Sequence, residues 1–232
     1  MDIFTLELET ALAEAGCPLC RVDYIDQRRW MQTFIREGHR DPGVRRRFSA
    51  SGGFCSAHAE LFSEMARQQE KIVVVGVVYR ALVDQDLIHL RSLREDARGR
   101  RRRELRWHSG VCPACFEQER SAESKCFFFC EALADDAFRR RYASSDGLCA
   151  RHFVSSLEQA TERKLPAYEF LIDDWLERLT SLQAGLSEYH RKRDYRYADE
   201  PRGEEQQAPI ASLRHYAGMT ATGVQSLEET GG

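Results

Sequence analysis

Cys17-Pro18-Leu19-Cys20 is followed, after a long gap, by Gly53-Phe54-Cys55-Ser56-Ala57-His58. The same pattern recurs further along the chain as Cys112-Pro113-Ala114-Cys115 and Gly147-Leu148-Cys149-Ala150-Arg151-His152. The shift between the two copies is 95 residues at the CPxC half (17 to 112) and 94 residues at the CxxH half (55 to 149). Each copy offers three thiols and one imidazole, which is the ligand set of a closed four-coordinate metal site.

The spacing within each half of the pattern suits metal coordination. In Cys-x-x-Cys both sulfurs can point at one ion from a single turn of backbone, and in Cys-x-x-His at a helix start, positions i and i+3 share one face. Each half therefore supplies two ligands, and one ion would join two helix starts. We expect one ion to be held by Cys17, Cys20, Cys55 and His58. We expect a second ion to be held by Cys112, Cys115, Cys149 and His152.

Zinc suits this ligand set because it prefers tetrahedral coordination by thiolates and imidazoles, which predicts two zinc ions per chain. With all four positions filled, no water can be activated, so a structural role follows more naturally than a catalytic one. The site would carry net negative charge, which Arg21 or Arg151, each adjacent to a ligand, could offset. An iron–sulfur cluster held by three cysteines and one histidine is the alternative.

The repeat extends beyond the ligands. At a shift of 94 residues Asp41 matches Asp135, and the triplet 45–47 of arginines matches the triplet 139–141. A duplicated helical unit explains these matches together with the ligand pattern. The arginine triplets could pair with acidic partners, balance the metal sites or bind an anion.

Two further cysteines, Cys126 and Cys130, look at first like a third ligand pair. At the 95-residue shift they fall on Met31 and Ile35, which are apolar core positions. We therefore expect both cysteines to be buried and inert.

Hydrophobic periodicity predicts an all-α fold of two similar helical units, each held by one metal site and packed as a bundle with approximate two-fold symmetry. The expected boundaries are 1–97 for the first unit, 98–106 for a basic linker and 107–198 for the second unit. Residues 199–232 are expected to form a polar loop, a short helix and a disordered tail. One stretch conflicts locally, because the valine-rich run 72–79 would read in isolation as a buried strand. The second copy favours a helix there.

Composition restricts the class of protein. At 42% hydrophobic residues, 31% charged residues and a mean hydropathy of -0.54, the chain is expected to be soluble, with no membrane span and a cytoplasmic location. No signal peptide is recognisable at the N-terminus. A net charge of -3 gives no reason to expect nucleic-acid binding. Eight cysteines in a reducing compartment favour metal or redox chemistry over disulfides.

The tandem CPxC and G-[FL]-CxxH arrangement resembles an uncharacterised bacterial family of unknown function. The resemblance spans residues 5 to 218 and includes the stretch from Arg191 to Pro201 after the second long helix. It also includes a closing segment, here Ile210 to Gly218, which lacks the tryptophan and lysines associated with the family. The resemblance implies no activity or substrate.

These observations favour a non-enzymatic zinc protein that acts as an interaction scaffold or adaptor for an unknown protein partner. The chain contains no glycine-rich phosphate loop, no GxSxG elbow and no HExxH motif, so an enzymatic function is disfavoured. One alternative is a redox or metal-sensing protein that uses the CPxC thiols or an iron–sulfur cluster. Another is nucleic-acid binding through the arginine-rich helices.

Overall fold

The computed structural model describes residues 3–98, 108–197 and 199–219, and within these ranges all regular structure is helical. The all-α prediction is therefore confirmed. Short 3-10 turns accompany ten α-helices in the described residues. In chain order the α-helices are α1 Ile3–Leu12, α2 Pro18–Arg36, α3 Pro42–Ala50, α4 Ser56–Gln68, α5 Ile72–Arg98, α6 Pro113–Ala132, α7 Asp136–Ala143, α8 Ala150–Glu162, α9 Ala167–Arg191 and α10 Ala208–Ala217. None of the described helices combines the length and apolar character needed to cross a bilayer.

The valine-rich stretch forms the first turns of α5. Its buried residues are Val74, Val78 and Leu82, spaced four apart, whereas Val73 and Val77 are more than half exposed. This spacing puts the buried side chains on one helical face. The packing of that face therefore outweighs the β-propensity of valine.

The chain after His152 forms two helices, α8 and α9, with a break between them. The break occurs because Lys164 adopts a left-handed φ of 54° and the Leu165 amide donates to the Ala160 carbonyl. This is a Schellman ending, and Pro166 then restrains the chain before α9 begins. The helix α4 ends in the same way, with Glu70 at a φ of 55°.

The chain packs as two compact units. The first unit combines Met1–Tyr24 with Ser121–Gly232, and the second is Ile25–Arg120. The sequence boundaries follow the repeat copies, whereas each packing unit combines the beginning of one copy with the end of the other. Most of the predicted basic linker 98–106, from residue 99 onward, lies outside the described residues, as does the expected tail from residue 220.

In the first unit the core surrounds three fully buried side chains, Phe129, Tyr142 and Leu171. The rings of Phe129 and Tyr142 meet edge to face at 5.3 Å. Leu148, which is 1% exposed and directly precedes Cys149, packs into this core. Its amide donates to the Tyr142 hydroxyl at 3.3 Å. The residue between the glycine and the cysteine therefore anchors the start of α8.

In the second unit the core is an aromatic cluster centred on Phe34. The Phe34 ring lies within 5.0 Å of Phe54 and 5.4 Å of Phe62, both edge to face. Trp30 stacks on the same ring at 5.5 Å. Phe54 directly precedes Cys55, so this cluster fixes the start of α4 just as Leu148 fixes the start of α8.

Candidate metal centres

The eight predicted ligands form two groups, but these are not the two groups expected from the sequence. In the first unit one group, here called centre A, consists of Cys17, Cys20, Cys149 and His152. In the second unit the other group, centre B, consists of Cys55, His58, Cys112 and Cys115. In each centre all four ligand atoms lie within 4.8 Å of one another, so each could hold a metal ion.

The expectation that each copy joins its own four residues is therefore wrong. Each CPxC pair instead meets the CxxH pair of the other copy. The reason is that spacing fixes the geometry within a pair, whereas packing decides which pairs meet. The helices α2 and α6 both begin beside their own CPxC pair in one unit and end in the other unit.

Helix starts position all four pairs of ligands. Pro18 and Pro113 are the first residues of α2 and α6, where proline is favoured because the amide there has no helical partner. Cys55 and Cys149 are the N-cap residues of α4 and α8, where the backbone is extended and neither side chain accepts a capping hydrogen bond. The partial positive charge of a helix N-terminus favours the thiolate form that binds metal.

A glycine two residues before each N-cap cysteine lets the chain approach the site. Gly147 has a φ of 76°, and a Cβ there would lie 2.5 Å from Nε of Arg178. Gly53 has a φ of 98°, and a Cβ there would lie 3.1 Å from the Tyr79 ring. Both positions require glycine because of this backbone conformation and close packing.

The spacings in centre A match a tetrahedral site. Bonds of about 2.3 Å to sulfur and about 2.0 Å to nitrogen would place two sulfurs roughly 3.8 Å apart and sulfur and nitrogen roughly 3.5 Å apart. The sulfurs of Cys20 and Cys149 are 3.7 Å apart. Nδ1 of His152 lies 3.3 Å from Cys17 Sγ, 3.5 Å from Cys20 Sγ and 3.4 Å from Cys149 Sγ.

The spacings in centre B are similar. The sulfurs of Cys55 and Cys115 are 3.7 Å apart. Nδ1 of His58 lies 3.1 Å from Cys55 Sγ, 3.4 Å from Cys115 Sγ and 3.7 Å from Cys112 Sγ. In each centre, therefore, the distances from Nδ1 to the three sulfurs and one of the sulfur–sulfur distances are close to those of a tetrahedral site.

A buried carboxylate orients the histidine of centre A. Asp23 Oδ2 lies 3.2 Å from His152 Nε2, on the side of the ring opposite the thiols. Lys125 donates to Asp23 Oδ1 at 2.8 Å and Arg151 donates to Oδ2 at 3.1 Å. Burial raises the pKa of Asp23, but its bonds to His152 and Lys125 outweigh this and lower the pKa to about 2. Sequence reasoning missed Asp23; its position three residues after Cys20 was the available signal.

This carboxylate–histidine pair is the outer arrangement typical of metal-bound histidines, where it fixes the ring and its tautomer. From the sequence we expect Arg21 or Arg151 to offset the negative charge of a metal site. Arg151 does lie at centre A, where it donates to Asp23. Arg21 donates from Nε to the Ala15 carbonyl at 2.8 Å.

Replacing Asp23 with Asn is expected to weaken metal binding at centre A by about 10- to 100-fold, because a neutral amide orients the imidazole less strongly. Competition with a chromophoric chelator measures the metal affinity of each folded variant. Asp26→Asn, three residues further along α2 and partly exposed, serves as the matched control. Equal metal affinity in the two variants would contradict a positioning role for Asp23.

Centre B is more exposed to solvent, and its histidine contacts a neutral side chain instead of a carboxylate. Cys55 is exposed and Cys115 is partly exposed, whereas all four ligands of centre A are buried. His58 Nε2 lies 3.3 Å from the Gln27 side-chain oxygen, and burial lowers the pKa of His58. The position that matches Arg151 in the repeat is Ala57. The two centres therefore share ligands and geometry but differ in solvent access and surrounding charge.

The closing segment covers centre A. Gly218, at the end of α10, has a φ of 73°, and a Cβ there would lie 3.1 Å from Cys149 Sγ and 3.2 Å from Cys20 Sγ. The Met219 amide donates to Cys20 Sγ at 3.5 Å. Sequence reasoning gave this segment no role, although a glycine directly after a short helix signals a close approach of the backbone.

The electrostatics of the thiols favour a bound cation. Burial raises the pKa of Cys17, while hydrogen bonds from Cys17 and Cys20 lower that of Cys149. In centre B burial and the neighbouring Cys112 raise the pKa of Cys115 to about 12. Three adjacent thiols thus cannot all ionise unaided, and a divalent cation supplies the missing positive charge.

The remaining cysteines behave as the repeat predicts. Cys126 and Cys130 are 1% and 2% exposed and belong to the core of the first unit, and neither joins a ligand group. The Cys130 thiol donates to the Ser156 carbonyl at 3.2 Å. Burial raises the pKa of Cys130 to about 12, which suppresses the reactive thiolate.

Comparison with known proteins identifies the family. The model of a family of unknown function, DUF6062, matches residues 1–222, and the chain belongs to this family. The resemblance to a family of unknown function is thereby confirmed. No curated protein matches the chain. No solved structure matches it either.

Proposed function

We propose that this member of DUF6062 is a non-enzymatic zinc protein that holds one zinc ion in centre A and one in centre B. The observation that carries the proposal is the convergence of three sulfurs and one Nδ1 in both centres, with all four atoms within 4.8 Å of one another. Such a set fills all four positions of zinc, so the ion would fasten helix starts together rather than activate water. Iron is the less favoured metal for the same ligands.

Zinc binding in this arrangement would be coupled to folding. Structural zinc contributes about 10 to 16 kcal/mol of apparent binding free energy in small zinc domains, which exceeds the stability of many whole domains. In the first unit the ion would join the N-terminal segment before α2 to the start of α8, which are more than 120 residues apart. It would thus hold together segments that no local structure connects.

We infer an internal duplication from the same features. Asp41 and Asp135 both accept hydrogen bonds from amides in the first turn of their helices, 94 residues apart. Glu70 and Lys164 end α4 and α8 in the same left-handed conformation at the same shift. These shared details support a common origin of the two copies. The two-fold packing of the copies stays a prediction.

Purified without oxygen, the protein is expected to contain two zinc ions per chain and to show no visible absorption. Elemental analysis combined with an absorption spectrum tests this. A brown preparation with iron and sulfide would contradict the zinc assignment and favour a cluster. Protein that is fully folded without metal would contradict the structural role.

We further propose that the protein acts as a scaffold or adaptor for a protein partner. Exposed apolar side chains on α5 support this, because Val73 and Ile88 are 66% and 67% exposed. Nucleic-acid binding has less support. In the arginine triplets, Arg47 lies over the Phe116 ring and Arg141 pairs with Glu9, so part of their charge is already engaged.

The redox alternative is favoured by one specific observation, the exposure of Cys55 beside Cys115 in centre B. The buried pair Cys17 and Cys20 of centre A suits this chemistry less well. A sensing function would therefore reside in centre B.

A further inference from the structure

A cavity of about 530 Å³ lies in the second unit, between α3 and α5. Its volume is in the range of small-molecule binding sites. Its apolar wall includes Phe34, Phe48, Val78 and Ala81, and its rim carries three arginines. It is separate from centre B, since none of its lining residues is a ligand.

The apolar wall of the cavity is held in place by the core. Phe34 and Phe48 are 2% and 4% exposed and stack at 6.1 Å with an angle of 26° between their rings. Val78 is 7% exposed. An apolar ligand would therefore meet a surface that is already formed, so little ordering cost would oppose binding.

The rim arginines are Arg40, Arg45 and Arg46. Among the residues that the structure describes, none of their guanidinium groups makes a hydrogen bond or an ion pair. The position in the first unit that matches Arg45 differs, because Arg139 donates to the Leu133 carbonyl at 3.0 Å.

We propose that this cavity binds a small amphipathic anion, with a carboxylate or phosphate head and an acyl or aromatic body. The apolar body would cover Val77, which lines the cavity and is 55% exposed, and the partly exposed Ala81, and this burial is favourable in proportion to the area covered. The head would lie against the arginines, because guanidinium groups bind carboxylate and phosphate through paired hydrogen bonds. Three cations around one apolar cavity repel one another until an anion binds.

Isothermal titration of the zinc-loaded full chain with decanoate tests the proposal. Decanoate is expected to bind at least tenfold more tightly than decanol, which lacks the charge, or inorganic phosphate, which lacks the tail. Vesicles of anionic phospholipid distinguish a membrane source: binding to vesicles but not to decanoate would overturn the small-molecule proposal. Equal affinity for decanoate and decanol would overturn the role of the arginines.

Two variants localise the site. Arg45→Gln combined with Arg46→Gln is expected to weaken decanoate binding at least tenfold, and Ala81→Trp is expected to abolish it by filling the cavity. Arg140→Gln, which matches Arg46 in the other copy, is the control and should bind decanoate normally. Circular dichroism verifies that each variant is folded. Decanoate affinity unchanged in both cavity variants would contradict the assignment.

Discussion

A variant that lacks all four ligands of centre B is expected to retain one zinc ion per chain. In this variant Cys55, Cys112 and Cys115 become Ser and His58 becomes Asn. Because the four residues belong to one centre, centre A keeps its complete ligand set. The pairing expected from the sequence gives a different result, since the same substitutions would remove two ligands from each of two sites. Elemental analysis of the purified variant measures the difference.

Cobalt substitution provides an independent measurement. Cobalt bound at the intact centre A should give the intense visible bands of tetrahedral coordination by three thiolates and one imidazole, at half the intensity seen in the wild-type protein. Loss of all metal from a variant that remains helical would contradict the cross-paired centres.

The matched control also removes four ligands, but it takes two from each centre. A variant with Cys17, Cys20 and Cys55 changed to Ser and His58 to Asn also lacks four ligands, but it leaves only two ligands in each centre. It is expected to lose both zinc ions and to unfold at a much lower temperature. A second control, Cys126→Ala with Cys130→Ala, should keep both ions, because these thiols lie in the core and not in a ligand group. If the two variants that lack four ligands retain equal amounts of zinc, the grouping of the ligands is wrong.

The sequence predicted which Cys and His side chains lie together within each short motif, because both members of such a pair depend on one turn of backbone. The same is true of the Asp41 and Asp135 caps, each of which binds amides two or three residues away. The partners across the fold could not be predicted in this way. The two CPxC pairs are chemically alike, so nothing in Cys17 or Cys112 specifies which CxxH pair each will meet. That choice depends on the packing of whole helices.

The residues that surround the ligands of centre A could not be predicted from local sequence either. Asp23 and Gly218 approach centre A from positions 129 and 66 residues away from His152 along the chain (23 to 152 and 152 to 218). Asp23 has no counterpart in the other copy, since Gln118 stands at the matching position, and Gly218 lies beyond the repeated stretch. Comparing the two copies identifies the positions that they share, but it does not show which residues meet across the fold. The sequence does show that Asp23 and Arg151 have uncharged counterparts in the other copy. Only the structure shows that both lie at centre A and that centre B is more exposed.

That difference predicts that hydrogen peroxide releases zinc from centre B well before centre A, by at least tenfold in rate. Peroxide would oxidise the Cys55 and Cys115 thiolates to a disulfide and would itself be reduced to water, with uptake of two protons. The two sulfurs are 3.7 Å apart and Cys55 is exposed, so a modest movement brings them to bonding distance. In centre A the buried Cys20 thiol accepts a hydrogen bond from the Met219 amide, and the closing segment limits the access of peroxide to the thiols.

A chromophoric zinc chelator follows the release, and peptide mapping identifies the disulfide. One zinc ion per chain should appear in a fast phase, with the disulfide between Cys55 and Cys115, and a reductant with added zinc should restore it. The variant that lacks centre B supplies the control, because it should show only the slow phase. Release of both ions at one rate would mean that exposure of Cys55 does not govern reactivity. A disulfide between Cys17 and Cys20 in the fast phase would instead assign the redox chemistry to centre A. In that case the closing segment would have to open before peroxide could reach the thiols.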